Sequence, residues 1–232
     1  MNKEISEVKP VDGINTINYQ ENYLQAPSTS FVVIKRIIDF VGALSALILL
    51  SPVFIIIWFL FLFGDSKGPL LFKQKRYGKD GQLFQIYKFR SMVVNADEKL
   101  KSNIDLYNKY LQNNYKLEQN EDPRITKLGA FLRKTSLDEI PQLLNVLKGE
   151  MSLVGPRPIV KDELVEYKDK EKDFLSVKPG VTGYWQVSGR SDVGYPERVD
   201  LELYYVYNKS IILDIRILLK TIVIVALKKG AY

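Results

Sequence analysis

Between Phe40 and Phe63 the chain runs for 24 residues without a charge, while Lys35 and Arg36 stand before the run and Lys67, Lys73, Lys75, Arg76 and Lys79 follow it. As one straight helix this stretch would reach roughly 36 Å, enough to cross the hydrocarbon core of a bilayer. Ser51-Pro52 interrupts its centre. Proline at position 52 removes the hydrogen bond to the Ile48 carbonyl, and Ser51 can add a side-chain bond to a preceding carbonyl. Each arm is then only about 18 Å long, too short to cross. Pro-kinked spanning helices also occur, so the break alone leaves both topologies open. Cations on both flanks favour placing both ends on the cytoplasmic side. A cleaved signal peptide is not expected, because the run is too long and no small-x-small site follows.

Around this run the pattern changes several times. Residues 1–30 are polar and poor in periodic apolar positions, which predicts a disordered tail. In "PLLFKQKRYGKDGQLFQIYKFRSM" short apolar runs alternate about a turn at Lys79 to Gly81, predicting a β-hairpin. Asn95 to Gln119 reads as polar helix with little to bury. "DPRITKLGAFLRKTSLDEIPQLLNVLKGEMSLVGPRPIV" predicts two short helices around Ser136, the second stopped at Gly149, then a proline-bounded loop. "VKPGVTGYWQVSGR" reads as a turn-rich loop with aromatics. From about Glu197 a helical hairpin follows, whose second arm is apolar but carries Asp214, Arg216 and Lys220. Those charges favour a helix lying at a membrane interface over one that spans.

Composition narrows the chemistry. At 232 residues the chain forms one sizeable domain or two small ones. It has no cysteine and no histidine, which excludes disulfides, thiolate nucleophiles and Cys- or His-ligated metal sites. Acid-base, nucleophilic or metal chemistry then falls to Asp, Glu, Lys, Arg, Tyr, Ser or Thr. A net charge of +6 suits nucleic acid, anionic lipid or phosphorylated substrates without choosing among them.

Several fragments carry that chemistry. In "KTSLDEIPQLL", Ser136 and Glu139 have the spacing of a capping box, and Pro141 suits a first helical turn. The same fragment also places Asp138 and Glu139 at a helix start, where phosphate binds readily and a carboxylate can hold Mg²⁺ or attack phosphorus. In "SLVGPRPIV", the prolines at 156 and 158 restrict Arg157, which suits bidentate presentation to a phosphate as well as a simple tight turn. Lys88 and Arg90 on the hairpin's second strand, with Arg133 just before the acidic pair, would complete an anion-stabilising shell. Tyr184 and Trp185, with Gln186 and Arg190 beside them, form a candidate nucleotide-site loop, although aromatics beside glycines equally serve core and turn.

Lys35-Arg36-Ile37-Ile38-Asp39, Ser51-Pro52, "KFRSM", "DPRITKLGAFLRKTSLDEIPQLLNVLKGEMSLVGPRP" and "PGVTGYWQVSGR" together resemble the bacterial sugar transferases, the monotopic polyprenyl-phosphate phosphoglycosyltransferases of the exopolysaccharide- and capsule-initiating type. The resemblance runs in order from about Ile34 to the C-terminus. It implies transfer of a sugar-1-phosphate, glucose or galactose, from a UDP-sugar to undecaprenyl phosphate, with release of UMP. It further implies Asp138 as nucleophile and metal ligand, Glu139 as its partner, Mg²⁺ as cofactor, and Lys88, Arg133 and Arg157 around the phosphates, with Arg90 a further candidate from its place beside Lys88. Ser51-Pro52 would break a re-entrant helix, and the enzyme would sit on the cytoplasmic face of the bacterial cell membrane.

The fold expected is α+β, mostly α: a tail over 1–30, a re-entrant membrane helix over 31–66, and a cytoplasmic catalytic domain over 67–232 with interfacial C-terminal helices. Membrane lipid is an expected partner and nucleic acid is not; a homodimer and downstream glycosyltransferases are compatible with the family. The tail and the 93–121 segment exceed the smallest members of the family, and the multi-helix N-terminal region of the large ones is not expected. Two rival readings stay open: a glycosyltransferase that passes only the sugar and releases UDP, and a non-enzymatic basic membrane anchor.

Overall fold

A computed structural model describes residues 27–112, 117, 121–189 and 193–227; nearly all of the expected tail and Arg190 lie outside these. The first element, α1 (Thr29–Leu60), begins two residues before the expected boundary and is capped by the Ser28 hydroxyl, which accepts from the Phe31 amide. It continues through Pro52, where Ser51 Oγ donates to the Ile48 carbonyl at 2.8 Å. Among the described residues it is the one helix long and apolar enough to cross a membrane.

The hairpin forms as its turn chemistry predicts. Strands β1 (Leu71–Tyr77) and β2 (Leu83–Phe89) pair antiparallel, with Phe72 opposite Lys88 and Arg76 opposite Phe84. Because side chains alternate along a strand, Arg76, Ile86 and Lys88 share one face. The polar segment that follows is two helices, α2 (Ala96–Lys101) and α3 (Ile104–Gln112), separated at Ser102-Asn103. Helix α4 (Lys127–Lys134) is capped by Thr126, whose hydroxyl accepts from the Gly129 amide. A single turn over Leu137–Glu139 leads to α5 (Gln142–Lys148), which ends at Gly149 in the left-handed conformation.

The expected loop at residues 177–190 is more ordered than its turn-rich composition suggests. Strand β3 (Ser152–Val154) pairs in parallel with β4 (Gly180–Thr182), and α8 (Tyr184–Ser188) follows. Between β3 and β4 lie the short helices α6 (Lys161–Leu164) and α7 (Glu171–Phe174). Helices α9 (Glu197–Asn208) and α10 (Ile211–Ala226) make the C-terminal hairpin. The chain is therefore mostly helical, with small sheets and one long apolar N-terminal helix.

Side chains of α1 fasten the helix to the remainder of the molecule. Arg36 donates to the Val146 and Leu147 carbonyls at 2.7 and 2.8 Å, satisfying the open end of α5. Asp39, buried, accepts from Ser152 Oγ and the Leu153 amide, each at 2.9 Å. Lys35 reaches Asp214 of α10 at 2.6 Å and the Val154 carbonyl at 3.0 Å, and the Tyr205 hydroxyl donates to the same Asp214. Asp214 is thus a buried tie and not an interfacial charge, which corrects its reading from sequence; the outward face of α10 is largely apolar, with Ile212, Ile215, Leu219, Ile222 and Val223 exposed, and it carries the exposed Arg216.

Both halves of α1 also pack on neighbouring stretches of β2. Ala43, Ala46 and Leu47 join a core with Ile86, Leu143, Val146 and Met151. Val53, Phe54, Ile57 and Phe61 join another with Phe89, Leu132 and Leu137. Between these contacts Ile48, Leu49, Ile55 and Ile56 stand exposed.

Candidate active site

The acidic pair sits where α4 gives way to α5. Ser136 adopts φ 56°, a left-handed conformation that costs a non-glycine residue about 1–2 kcal/mol. Its side chain makes no cap, so the capping box expected from the Ser136–Glu139 spacing does not form. Glu139 turns instead to the hairpin and the proline-bounded loop: Lys88 Nζ donates to Glu139 Oε1 at 2.7 Å, and Arg157 Nη1 stands 3.5 Å from the same oxygen. A strained residue two positions before paired carboxylates is the kind of feature that clusters at functional sites.

The two carboxylates are differentiated by their surroundings. Glu139 takes the ion pairs with Lys88 and Arg157. Asp138 is driven by burial, and then by the negative charge of Glu139, up to a pKa of about 6, against the opposing influence of Lys88, Arg133 and Arg157. Arg133 is fixed through Nε, which donates to Ser91 Oγ at 2.8 Å.

Beside this pair lies an open cleft, lined by Lys88, Glu139, Arg157 and three residues that sequence reasoning did not place in the phosphate shell, Arg76, Gln142 and Gln186. Arg76 was legible through the hairpin register, which puts it on the Lys88 face. Its guanidinium donates to Glu163 at 3.3 Å, to the Pro158 carbonyl at 3.2 Å and to Gln74 at 2.7 Å. Of the candidate nucleotide loop, Gln186 reaches the cleft, while Tyr184 packs its ring 4.5 Å from that of Tyr204. Trp185 donates to the Val193 carbonyl and carries the Arg198 guanidinium 4.3 Å above its ring.

Arg90 is not brought to the site. It is 7% exposed, and its three nitrogens donate to the carbonyls of Pro69, Met92 and Ser66 at 2.7–2.8 Å. The strand ends at Phe89, so the alternation that would align Arg90 with Lys88 stops one residue too early.

Close backbone packing holds the loop that carries Arg157. Gly155 donates to the Thr182 carbonyl at 2.9 Å, and Gly180 to the Pro156 carbonyl at 2.8 Å. A Cβ on Gly180 would lie 2.1 Å from the Gly155 nitrogen, so only glycine permits this approach. Beneath the loop, Glu202 is 1% exposed, and its carboxyl is pushed up to about 7, chiefly by burial.

Comparison with known proteins identifies the family. The pattern described as "Bacterial sugar transferase" matches residues 30–228. The chain is 47% identical over 215 residues to "Undecaprenyl-phosphate galactose phosphotransferase" of Salmonella typhimurium, covering 91% of this chain and 44% of that protein. It is 46% identical over 202 residues to "Exopolysaccharide production protein ExoY" of Sinorhizobium fredii, covering 85% and 88% respectively. "UDP-glucose:undecaprenyl-phosphate glucose-1-phosphate transferase" of Escherichia coli is 39% identical over 207 residues, covering 86% of this chain and 41% of that protein. The chain thus spans less than half the length of the Salmonella relative and most of the length of ExoY. By extent of match and by identity, the chain belongs to the bacterial sugar transferase family.

Proposed function

We propose that the protein transfers a hexose-1-phosphate from a UDP-sugar to undecaprenyl phosphate, the membrane step that begins an exopolysaccharide or capsule chain. The observation that carries this reading is the division of labour in the acidic pair: Glu139 is neutralised by Lys88 and Arg157, while the adjacent Asp138 is partly buried within reach of their field. In the first step an Asp138 oxygen attacks the β-phosphorus; the bond to the bridging oxygen breaks, and its electron pair leaves with UMP. In the second, a phosphate oxygen of undecaprenyl phosphate attacks the same phosphorus and expels the Asp138 carboxylate. Lys88, Arg133 and Arg157 offset the charge that accumulates on the phosphoryl oxygens. Glu139 keeps Lys88 and Arg157 oriented toward that phosphorus.

Asp138 beside a diphosphate fits Mg²⁺, which is usually held by one or two carboxylates together with substrate phosphates. No cluster of three acidic ligands occurs among the described residues, so substrate oxygens would complete the shell. Bound there, the ion would neutralise diphosphate charge. The names of the relatives point to galactose or glucose as the sugar. Incubating detergent-extracted protein with UDP-galactose or UDP-glucose, undecaprenyl phosphate and Mg²⁺ should yield UMP; release of UDP would instead establish simple glycosyl transfer.

Because Asp138 attacks as the anion, the rate of the first step should rise with pH through about 6. Replacing Glu139 by Gln removes the like charge and frees two cations, so the acid limb should move to lower pH even as the rate falls. An unmoved limb in single-turnover profiles would detach it from Asp138.

The same reading places α1 as a re-entrant element, with both ends on the cytoplasmic face. Its support is that Lys35, Arg36 and Asp39 at one end and Ile57 and Phe61 at the other contact the same catalytic body, while an apolar face exposed along the helix from Val32 to Leu60 is left for lipid. A spanning helix would carry one end away from that body. The absence of native cysteine allows a direct test: Pro27→Cys, just outside the helix, should resist a membrane-impermeant thiol reagent in intact cells and react once they are opened. Labelling in intact cells would mean that α1 spans.

A further inference from the structure

Arg157 is gripped at three points. Its amide donates to Glu202 Oε2 at 3.0 Å, its guanidinium lies 5.8 Å from the centre of the Trp185 ring, and Nη1 approaches Glu139. The first two grips share a second arginine. Arg198 stands 4.3 Å over the same indole, and its Nε is 3.4 Å from the other oxygen of Glu202. Arg198 also reaches Glu163, which holds Arg76 at the cleft wall. The indole is itself fixed by its N–H bond to the Val193 carbonyl at 3.0 Å. One buried carboxylate and one anchored ring therefore connect the proline-bounded loop to α9.

A carboxylate as deeply buried as Glu202 is costly unless its charge is matched and its oxygens are bonded. Here Arg198 and the Arg157 main chain give each oxygen one contact, which opposes that cost without cancelling it. The Trp185 ring already carries two guanidinium groups within cation–π range, so it serves as a support for cations and not as an open platform for a base. Long arginine side chains lose rotamer freedom when they bind, and a prepaid orientation is worth most where a fork must meet a phosphate at one angle.

We propose that Trp185 and Glu202 are positioning residues of the transfer reaction: Glu202 fixes the Arg157 main chain, Trp185 supports its guanidinium, and together they set the angle at which Arg157 meets the donor diphosphate. This rests on Arg157 as a phosphate-binding residue, and the test separates the two ideas.

Trp185→Leu, Trp185→Phe and Glu202→Gln would be made alone, with Arg157→Lys, and with Lys88→Met as a control background. Steady-state transfer from UDP-galactose and UDP-glucose gives kcat/KM, and binding of inorganic pyrophosphate by calorimetry gives a readout independent of turnover. Trp185→Leu is expected to lower kcat/KM about 10-fold, with Trp185→Phe recovering most of it, in line with the loss of a cation–π support. In the Arg157→Lys background the same change should cost less than about 2-fold, whereas with Lys88→Met it should retain its full cost. Glu202→Gln, which keeps an acceptor but loses the charge facing Arg198, should show the same selective coupling. Equal costs in every background would make both residues merely structural and overturn the proposal. So would a loss of UMP affinity from Trp185→Leu that persists with Arg157→Lys, the mark of a base platform. If wild-type protein binds pyrophosphate but turns over no UDP-sugar, the functional reading fails, while the coupling in pyrophosphate binding still decides the positioning role.

Discussion

Asp138→Asn should reduce sugar-phosphate transfer by at least about 10⁴-fold, the scale on which loss of a nucleophile acts. Asparagine is close in shape and size, so the turn over Leu137–Glu139 keeps its packing, but its amide cannot form the phosphoryl bond. The fold should not suffer. Asp138 provides no helix cap in the manner expected of a Ser136 box, and its carboxyl is raised in the folded state, chiefly by burial. For an acid whose folded pKa is raised, the stability it contributes is present at low pH and lost as pH rises through the folded value, here about 6. At neutral pH the wild-type carboxylate is therefore a burden, and the neutral variant should melt at the same temperature or higher. A companion measurement uses donor labelled in the sugar without acceptor: label should become attached to wild-type protein and not to the variant. Near-normal turnover by purified Asp138→Asn would remove Asp138 from the role of nucleophile.

Gly180→Ala should be the next most damaging change, although it adds only one methyl group to the backbone wall of the cleft. That methyl would stand 2.1 Å from the Gly155 nitrogen and 2.3 Å from the Thr182 carbonyl oxygen, both of them backbone atoms. Neither can swing aside as a side chain would. β3 and β4 must part, and with them the Pro156–Pro158 loop that brings Arg157 to Glu139. A displacement of about 1 Å at a positioning group can cost on the order of 100-fold in rate, and that is the loss expected here. Membrane association should persist, because the exposed faces of α1 and α10 are untouched. Gly194→Ala provides the control, since nothing lies within 4 Å of a Cβ there. Comparable activity in the two variants would show that the loop tolerates movement.

What could be read from sequence follows from the range of the interactions involved. The hairpin, the C-terminal helix pair and the apolar run rest on local periodicity and turn chemistry, and all appear where that pattern puts them. Lys88, Arg133 and Arg157 stood out as cations near an acidic pair, and the structure gathers them around it. Arg90 looked identical to them; one residue of strand length separates Lys88, which faces the cleft, from Arg90, which binds backbone carbonyls. The Ser136–Glu139 spacing was that of a cap, but two distant cations outcompete the local amide for the Glu139 carboxylate. Strands β3 and β4 have three residues each, too few to show an alternation. Glu202 lies in a helical pattern like any other acid, and only the tertiary fold reveals that it holds an amide 45 positions earlier.

The tie between Lys35 and Asp214 has a consequence for biosynthesis. The two residues are 179 positions apart, so at about 5–20 residues per second the ribosome completes the pair roughly 10–40 s after Lys35 is made. The last residue of the apolar run, Phe63, is made 151 residues before Asp214, so on the proposed membrane placement the run can reach the bilayer before its partner carboxylate exists. If α1 is the anchor proposed above, it meets lipid with the Lys35 ammonium still hydrated, and α10 is the later element that locks α1 to the body of the protein.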